Sequence, residues 1–484
     1  MTDVWMGVPW AVILIVLPLA AAMTAFVWPR ISQLLVLGCS LVIVLAVTGL
    51  ALQLWYHGVF HHALGGWGAP LGIELYADGL SLVLLAATGL VGAGVSVYAS
   101  AYFSVEEKRR FWPIWLFLLA ALNALFLSAD LFNLYVTLEL MGLAAVALTA
   151  LPGSRDALAG AARYLFVSLL GSLAYLLGVA LLYHAFGSLD IAVLAERLRP
   201  VPAAWVALGL MSAGLLLKTA LFPLHFWLPP AHSSAPSPVS AVLSALVIKA
   251  SLYILLRLWI MLFGPFAGDG VAAFLGLLGV AAILWGSVQA LRQTRLKLLV
   301  AYSTVAQIGY LFLAFPLATV ASWNATMVLL LSHALAKSAM FLAAGNFLNF
   351  GGHDRIADLD HIVQRLPLSA FAFALAGVSL MGLPPSGGFI GKWLLLEAAL
   401  VQGRWDLAAV MLLGGLLTAA YVFKVLGKSF TQADVACTYQ PKEIPARMQW
   451  VALILACGAI LLGFGGTPLL PLLEIGVPFD GSGP

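Results

Sequence analysis

Charged residues are scarce in this 484-residue sequence: they make up 9% of it, against about 25% in ordinary soluble domains. Hydrophobic residues make up 63%. So few charges cannot cover a chain of this length in water, which excludes a soluble globular protein. The 23 basic and 20 acidic residues leave a net charge of +3. That balance is too even to neutralise a run of phosphates, which argues against nucleic-acid binding.

Cysteine is also scarce. The three cysteines, Cys39, Cys437 and Cys457, form no CxxC pair and no Cys/His pattern for zinc or an iron–sulfur cluster, so we predict that they are small buried hydrophobes. The sequence contains no phosphate-binding GxxxxGK[ST], no GxGxxG, no haem-binding CxxCH and no GxSxG motif. We therefore expect no cofactor and no metal, and neither ATP hydrolysis nor electron transfer by this chain.

Long apolar runs, in contrast, follow one another along almost the whole chain. A membrane-spanning helix needs about 20 apolar residues, so the sequence predicts an all-α polytopic membrane protein with about fourteen transmembrane helices. The predicted spans are Pro9–Val27, Ile31–Leu54, Ala77–Ser100, Phe111–Ala129, Leu131–Leu151, Ala162–Tyr183, Ala204–Phe226, Pro238–Phe263, Val271–Ala290, Leu298–Leu317, Trp323–Phe350, Leu368–Val401, Leu407–Phe430 and Met448–Phe464.

Two of these runs contain helix-breaking sequences. The twelfth is too long for one straight span and carries PPSGG at 384–388, which predicts two half-helices joined by an unwound stretch. The seventh ends in FPLHFWLPP at 222–230. A break inside a membrane survives only within protein or beside water. Broken helices at related places in two halves are typical of transporters built from inverted repeats.

Basic residues of the loops are distributed unequally between the two sides of the predicted bundle. One side has only Arg197, Arg199 and Arg404. By the positive-inside rule the richer side is cytoplasmic, and an even number of spans then places both termini outside a bacterial or archaeal cell membrane. The basic residues of the richer side are Arg30, Lys108, Arg109, Arg110, Arg155, Arg292, Arg295, Lys297, Arg355, Arg365, Lys428, Lys442 and Arg447.

Several ionisable residues lie within or beside the apolar runs. Each charge at the centre of a bilayer costs about 2.5–3.5 kcal/mol on insertion scales, so such residues are functional candidates by default. Lysine and histidine, placed beside a carboxylate and water, can pass a proton from one side chain to the next. The pattern therefore predicts a lateral proton relay, and its candidate residues are Glu139, Lys218, His225, His232, Lys249, His333, Lys337 and Lys392.

Several of the polar residues also have a structural interpretation. Glu139 can form a structural salt bridge with a neighbouring helix, and His225 and His232 can be hydrogen-bonded loop histidines. Asp78 and Asp130, close to predicted helix starts, are expected to be N-terminal caps and nothing more. Lysines near helix ends can extend to the membrane interface, an interpretation that applies to Lys297, Lys424 and Lys428.

Five segments make a family resemblance specific: FNLYVTLEL, KTALFPLHFWLPPAHSSAPSPVSAVLSALVIK, RLKLLVAYSTVAQIGYL, HALAKSAMFL and GLPPSGGFIGKW. Over roughly Ala77 to Phe430 the chain resembles the proton-translocating antiporter-like subunits shared by respiratory complex I, membrane-bound hydrogenases and Mrp-type cation/proton antiporters. Within that group GGWGAPLGIELYADGLSLVLL at Gly65–Leu85 is most similar to the D-type subunits of the Mrp antiporters.

The resemblance implies two inverted five-helix repeats with helices seven and twelve broken. Residues 1–110 would hold the first three helices, 111–263 the first repeat, 271–430 the second repeat, and 448–484 the last helix and tail. It also implies that Glu139 and Lys218 form an ion pair, that Lys249 is the central relay lysine, and that Lys392 ends the relay. His333 with Lys337 would link the halves, and His225 and His232 would flank the helix-seven break.

The leading functional hypothesis is a proton-conducting subunit of a multisubunit Na⁺/proton antiporter, with other membrane subunits as partners and no enzymatic activity of its own. Two alternatives remain open. The same relay would serve an ion-pumping subunit of a complex I-like or hydrogenase-like redox complex, or a proton-coupled membrane subunit in inorganic-carbon uptake. A purely structural scaffold is disfavoured because it would not retain so many costly buried charges.

Overall fold

The computed structural model describes residues 7–69, 72–360, 362–431 and 442–476 and is almost entirely helical. An all-α polytopic membrane protein is therefore confirmed. The membrane helices are α1 Trp10–Val27, α2 Ser32–His57, α3 Gly79–Tyr102, α4 Val105–Phe126, α5 Leu131–Ala150, α6 Arg155–Phe186, α7a Pro202–Thr219 with α7b Leu228–Ser234, α8 at residues 237–263, α9 Gly264–Arg292, α10 Leu296–Phe312, α11 Val320–Gly351, α12a Pro367–Met381 with α12b Gly387–Val401, α13 Trp405–Ser429 and α14 Ala446–Leu473.

Eleven helical stretches in the described part of the chain are long and apolar enough to cross a membrane, and one of them, of 56 residues, contains both α8 and α9. The fourteen predicted spans all correspond to helices, but several ends differ. Helix α4 begins at Val105 instead of Phe111, because Ser104 and Glu107 form a capping box that starts the helix in a charged turn. Helix α14 continues to Leu473, beyond the predicted end at Phe464.

A small antiparallel hairpin lies between α2 and α3, where the sequence predicted no membrane span. Strand β1, Phe60–Ala63, pairs with strand β2, Glu74–Ala77, so that Phe60 lies opposite Ala77. The hairpin lies against the end of α4, since the backbone N–H of Tyr76 donates to the carbonyl of Leu127 at 2.8 Å. It covers one end of the helix bundle.

Glycine pairs form close helix contacts in both halves of the chain. A Cβ on Gly214 of α7a would lie 2.2 Å from the carbonyl oxygen of Gly171 on α6. In the second half a Cβ on Gly309 of α10 would lie 2.4 Å from the carbonyl oxygen of Gly279 on α9. Small residues at such crossings let membrane helices pack backbone to backbone. The first of these contacts brings α6 beside the polar end of α7a.

The cysteines fit the prediction only in part. Cys39 is buried in α2, whereas Cys457 on α14 is partly exposed, and both are free thiols. Cys437 lies outside the described residues. The Asp78 and Asp130 caps are confirmed: Asp78 accepts from the backbone N–H of Ser81, and Asp130 accepts from two N–H groups of α5. Asp78 also forms a buried ion pair with Arg257 of α8, which the sequence did not indicate.

Candidate functional site

Both predicted breaks are present, and each frees carbonyl groups inside the bundle. Helix α7a ends at Thr219, because Ala220 turns into the left-handed region with φ 56°. The indole of Trp227 donates to the carbonyl of Leu217 at 2.9 Å, and the same carbonyl accepts from the backbone N–H of Ala220 at 3.2 Å. Helix α12a ends with Gly382 at φ 81°, and Ser386 caps the start of α12b. These unwound stretches therefore lie within protein, as a break in a membrane helix requires.

The first break places Lys218 beside the only acidic residue among the eight candidates. Lys218 Nζ donates to Glu139 Oε1 at 3.0 Å and to Ser168 Oγ at 2.9 Å. Ser172 of α6 also donates to Glu139. The side chain of Lys218 is 5% exposed and that of Glu139 is 18% exposed. The ion pair is thus largely shielded from water, and two serines one helical turn apart on α6 support it.

Lys249 has a different environment. A π-helical stretch, Leu243–Val247, immediately precedes the helical segment that carries it. Such stretches are frequent at functional sites. Lys249 is fully buried, and its Nζ donates to the carbonyl of Ala245 at 2.8 Å. No carboxylate pairs with it among the described residues.

Helix α11 carries His333 and Lys337 on one buried face, as their spacing predicts. Lys337 Nζ donates to the carbonyl of Val300 at 2.5 Å and to Ser303 Oγ at 2.6 Å. Neither ring nitrogen of His333 has a hydrogen-bond partner in the described structure. His333 and Lys337 thus both lie in the buried interior of the helix bundle.

Lys392 of α12b interacts with neutral groups. Its Nζ donates to the Leu380 carbonyl, which the second break leaves free, at 2.7 Å. The ammonium group also lies 4.1 Å from the centroid of the Tyr310 ring, a cation–π contact. Glu397, five residues further along, is exposed and forms no ion pair with Lys392 in the described part of the chain.

The two histidines of the first break differ from each other. His225 lies in the unwound stretch, mostly buried, and its ring stacks on Phe222 at 5.6 Å between centroids. His232 is on the short helix α7b rather than in a loop, and its ring stacks on Phe341 of α11 at 4.7 Å. Both ring nitrogens of His232 lack a hydrogen-bond partner in the described structure. The interpretation of His232 as a hydrogen-bonded loop histidine is therefore wrong.

Hydroxyl pairs, which the sequence did not indicate, also join neighbouring helices of the bundle. Thr219, next to Lys218, donates to Ser251 of α8 at 3.0 Å. Ser332 and Ser379 lie 2.8 Å apart between α11 and α12a. Thr219 and Ser251 lie one and two positions from Lys218 and Lys249, which was the available signal for the first pair. The structure brings the candidates into two groups, the Glu139–Lys218 pair and the histidine–lysine groups around α11.

The lysines near helix ends also differ among themselves. Lys297 is buried and donates to the Ala235 carbonyl at 2.5 Å, so it does not extend to the interface. Lys424 donates to the carbonyls of Leu291 and Gln293 at the end of α9, while Lys428 is exposed. The interface interpretation is thus wrong for Lys297.

Comparison with known proteins decides the family. The family model described as the membrane region of NADH:quinone oxidoreductase and Mrp antiporter subunits matches residues 128–418, which is more than half of the chain. The chain belongs to this family. Its matched region includes both breaks and all eight candidate residues. It is thus an antiporter-like membrane subunit, as the resemblance implies.

The chain is similar to relatives named as quinone oxidoreductase subunits and to relatives named as antiporter subunits. It is 37% identical to the N-type subunit of the NADH-quinone oxidoreductase of Desulforudis audaxviator, over 93% of this chain and 95% of the relative. It is 29% identical to the D-type subunit of the Na⁺/H⁺ antiporter of Alkalihalophilus pseudofirmus, over 87% of this chain and 86% of the relative.

Solved structures of multisubunit membrane complexes contain chains of the same fold. A chain of the Mrp complex from Dietzia sp. DQ12-45-1b superposes with a TM-score of 0.88 at 26% identity, covering 96% of both chains. A chain of the membrane-bound sulfane sulfur reductase, an archaeal respiratory membrane complex, gives a TM-score of 0.89 at 27% identity, again covering 96% of both chains. The family fold extends over nearly the whole chain.

Proposed function

We propose that this chain is the proton-conducting subunit of a multisubunit Na⁺/proton antiporter. The observation that carries the proposal is the buried Glu139–Lys218 ion pair beside the break of α7. A membrane protein retains such a costly pair when its opening and closing are used. The proposed proton path comprises Glu139, Lys218, His225, His232, Lys249, His333, Lys337 and Lys392.

Opening of the ion pair would drive the first transfer. While Lys218 pairs with Glu139, the carboxylate stabilises the ammonium form and holds the proton on the lysine. Separation of the two groups leaves a buried ammonium without a counter-charge, so the proton moves on. The membrane potential contributes about 2.3 kcal/mol per charge per 100 mV, enough to bias such a pair.

Repulsion among the central lysines would carry the transfer forward. Lys249 and Lys337 are both fully buried, and no carboxylate pairs with either among the described residues. Like charges in a poorly solvated region disfavour each other, so a proton that arrives at one lysine promotes release from the next. The neutral partners of Lys249 and Lys392 are consistent with side chains that hold a proton only transiently.

The test uses the native complex, purified with this chain and reconstituted into vesicles that contain a pH-sensitive dye. An imposed Na⁺ gradient should acidify or alkalinise the lumen of vesicles with the parent complex. Lys218→Ala and Glu139→Ala should each abolish this pH change while the subunits still co-purify, because each removes one partner of the pair. Glu397→Gln, an exposed carboxylate on α12b, is the control and should transport at the parent rate. Full transport in either pair variant contradicts the proposed path.

A second candidate function is ion pumping within a redox complex, and the 37% identity to the N-type quinone oxidoreductase subunit favours it. The same path would then be driven by electron transfer in neighbouring subunits. Mass spectrometry of the purified complex separates the candidates. Small hydrophobic antiporter-type subunits support Na⁺/proton exchange, whereas flavin, iron–sulfur or nickel proteins support a redox-driven pump. One large zinc protein would instead support the inorganic-carbon uptake alternative.

We further propose that the chain lies in a bacterial or archaeal cell membrane with both termini outside. The excess of basic residues at one end of the bundle supports this orientation. Single cysteines introduced at Arg30→Cys and Arg199→Cys, in a variant without the three native cysteines, should differ in labelling. In intact cells a membrane-impermeant maleimide should label position 199 and not position 30. The opposite pattern would reverse the orientation.

A further inference from the structure

A long groove runs along the second half of the bundle, between α9 and α13. Its wide end is a cavity of about 650 Å³, and a narrower space of about 260 Å³ continues from it. The linings of the two parts share Ala273, Pro316 and Arg404. Ligand pockets in proteins usually measure about 300–1,000 Å³. None of the eight relay candidates lines either part, so the groove is separate from the proposed proton path.

Interrupted helices form the wide end of the groove. Helix α8 ends in the π-helical turn Trp259–Phe263, and Gly268 interrupts the first turns of α9 with φ 69°. On the opposite side the short helix Ala314–Leu317 follows α10. The side-chain amide of Gln402 donates to the Leu317 carbonyl at 2.6 Å, which ties the loop before α13 to this short helix. The cavity is therefore bounded by hydrogen-bonded backbone turns and is pre-formed.

The narrow part of the groove is apolar and opens to the outer surface of the bundle. Its α9 residues are spaced three and four apart, so they lie on one face of that helix over about 10 Å. Leu277 on this face is 62% exposed. A hydrocarbon chain can therefore lie in this part, parallel to the helices. The lining residues are Ala273, Gly276, Leu277 and Val280 of α9, together with Leu407 and Val410 of α13.

The mouth of the groove carries charges of both signs. Arg404 Nε and Nη2 donate to Asp406 at 3.0 and 2.8 Å, while Nη1 has no hydrogen-bond partner among the described residues. Asp269 lines the same cavity, is exposed, and forms no ion pair in the described part of the chain. Trp405, beside Arg404, is 71% exposed. Exposed tryptophans of membrane proteins lie at the level of the lipid headgroups.

These charges indicate which headgroup the mouth fits. One guanidinium and two carboxylates give the mouth a net negative charge, which disfavours an anionic lipid. A headgroup that carries both a phosphate and an ammonium complements both signs. Arginine recognises phosphate oxygens well, and a carboxylate accepts hydrogen bonds from an ammonium group. Basic pockets between membrane helices are known to bind lipid headgroups.

We propose that this groove binds one phospholipid with a primary ammonium headgroup, as in phosphatidylethanolamine. The lipid phosphate accepts from Arg404, the ammonium donates to Asp269, and one acyl chain lies between α9 and α13. This site goes beyond the proposed function, because the lipid takes no part in proton transfer. It can therefore be tested without a transport assay.

Native mass spectrometry of the purified complex tests the site. Detergent-washed complex is offered equal amounts of phosphatidylethanolamine, phosphatidylcholine and phosphatidylglycerol, and the bound lipids are counted. Arg404→Gln should bind one phosphatidylethanolamine fewer than the parent, with about tenfold weaker affinity at this site, because a hydrogen bond between two charged groups is lost. The surface pair with Asp406 contributes little to stability, so the complex should still assemble. Arg199→Gln, an exposed arginine that does not line the groove, is the control.

Asp269→Asn separates the ammonium contact from the phosphate contact. The choline headgroup has no N–H to donate, so the parent should prefer phosphatidylethanolamine to phosphatidylcholine at this site. Asp269→Asn should lose that preference and bind phosphatidylglycerol more tightly than the parent does, because one negative charge is gone. An unchanged order of the three lipids contradicts the role of Asp269.

Ala273→Trp fills the groove without touching its charges. Ala273 is exposed and lines both parts, so a tryptophan there should exclude the lipid while the subunits still co-purify. Ala409→Trp is the control, since Ala409 of α13 is exposed and does not line the groove. Loss of one bound phosphatidylethanolamine in Arg404→Gln and Ala273→Trp, and not in the two controls, supports the site. Equal binding in all variants overturns it, as does a parent complex that prefers phosphatidylglycerol. Cross-linking of Ala273→Cys to another subunit would overturn it in favour of a protein partner.

Discussion

The two breaks share a design but use their lysines differently. At the first break the carbonyl of Leu217 accepts from the indole of Trp227 and from the backbone N–H of Ala220, and Lys218 pairs with Glu139. At the second break Lys392 itself donates to the free carbonyl of Leu380 and lies over the ring of Tyr310. Lys218 is therefore paired with a carboxylate, whereas Lys392 interacts with a carbonyl dipole and an aromatic ring.

This difference gives the two halves complementary roles in the proposed relay. A buried charge is expensive unless it is paired, and neutral dipoles compensate it less well than a carboxylate does. The first half thus holds a proton until the pair opens, whereas the second half releases a proton readily. Four predictions test what the halves share and where they differ.

The largest effect is expected for Gly214→Val, which attacks the close helix contact that both halves share. A Cβ at this position would lie 2.2 Å from the backbone of Gly171, which cannot move aside. Overpacking of this kind costs about 3 kcal/mol or more. We expect little assembled complex and a markedly lower melting temperature. Gly209→Val on the same helix faces open space and is the control. Normal stability of Gly214→Val would contradict the close packing of α6 and α7a.

A carboxylate placed in the second half should make it resemble the first. Gln307 of α10 donates to the same Leu380 carbonyl that accepts from Lys392, at 3.3 Å. Gln307→Glu would therefore pair with Lys392 and hold its proton, and transport should fall at least about tenfold. Gln307→Leu, which adds no charge, should remain within about threefold of the parent rate. Unchanged transport in Gln307→Glu would refute the proposed difference between the halves.

The ring beneath Lys392 should matter more than its hydroxyl. Tyr310→Leu removes a cation–π contact worth about 1–2 kcal/mol in a desolvated site, which predicts roughly three- to tenfold slower transport. Tyr310→Phe keeps the ring and loses only the hydrogen bond to the Met411 carbonyl. It should transport near the parent rate with slightly lower stability. Equal transport defects in both variants would instead assign the function to the hydroxyl.

The smallest effect is expected for Lys424, a lysine outside the proposed proton path. Lys424 of α13 donates to the carbonyls of Leu291 and Gln293, at the end of α9. A cation at a helix C-terminus contributes about 0.3–1 kcal/mol. Lys424→Gln should lower the melting temperature slightly and leave vesicle transport within about twofold of the parent. A tenfold loss would bring Lys424 into the path.

Much of the fold and of the candidate site was predictable because it depends on local pattern. The apolar runs identified all the membrane helices, and the proline and glycine clusters identified both breaks. Lys218, Lys249 and Lys392 are charged residues within those runs, so the sequence already marked them as candidates. The hairpin was missed, since its strands alternate weakly in a loop rich in glycine. Arg257 was missed because it lies nearer the end of α8, where a long basic side chain is expected to extend to the membrane interface.

The sequence by itself determined that this chain is a polytopic membrane protein, where its helices break and which ionisable side chains lie in the apolar runs. Each of these properties depends on residues adjacent along the chain, because the length and polarity of one segment decide its solvent. Only the tertiary structure decided the partners of those side chains. Asp78 and Arg257 are 179 residues apart, and Lys218 and Lys392 look alike in sequence. Their partners depend on how helices rotate and how closely they pack, and no local pattern specifies either.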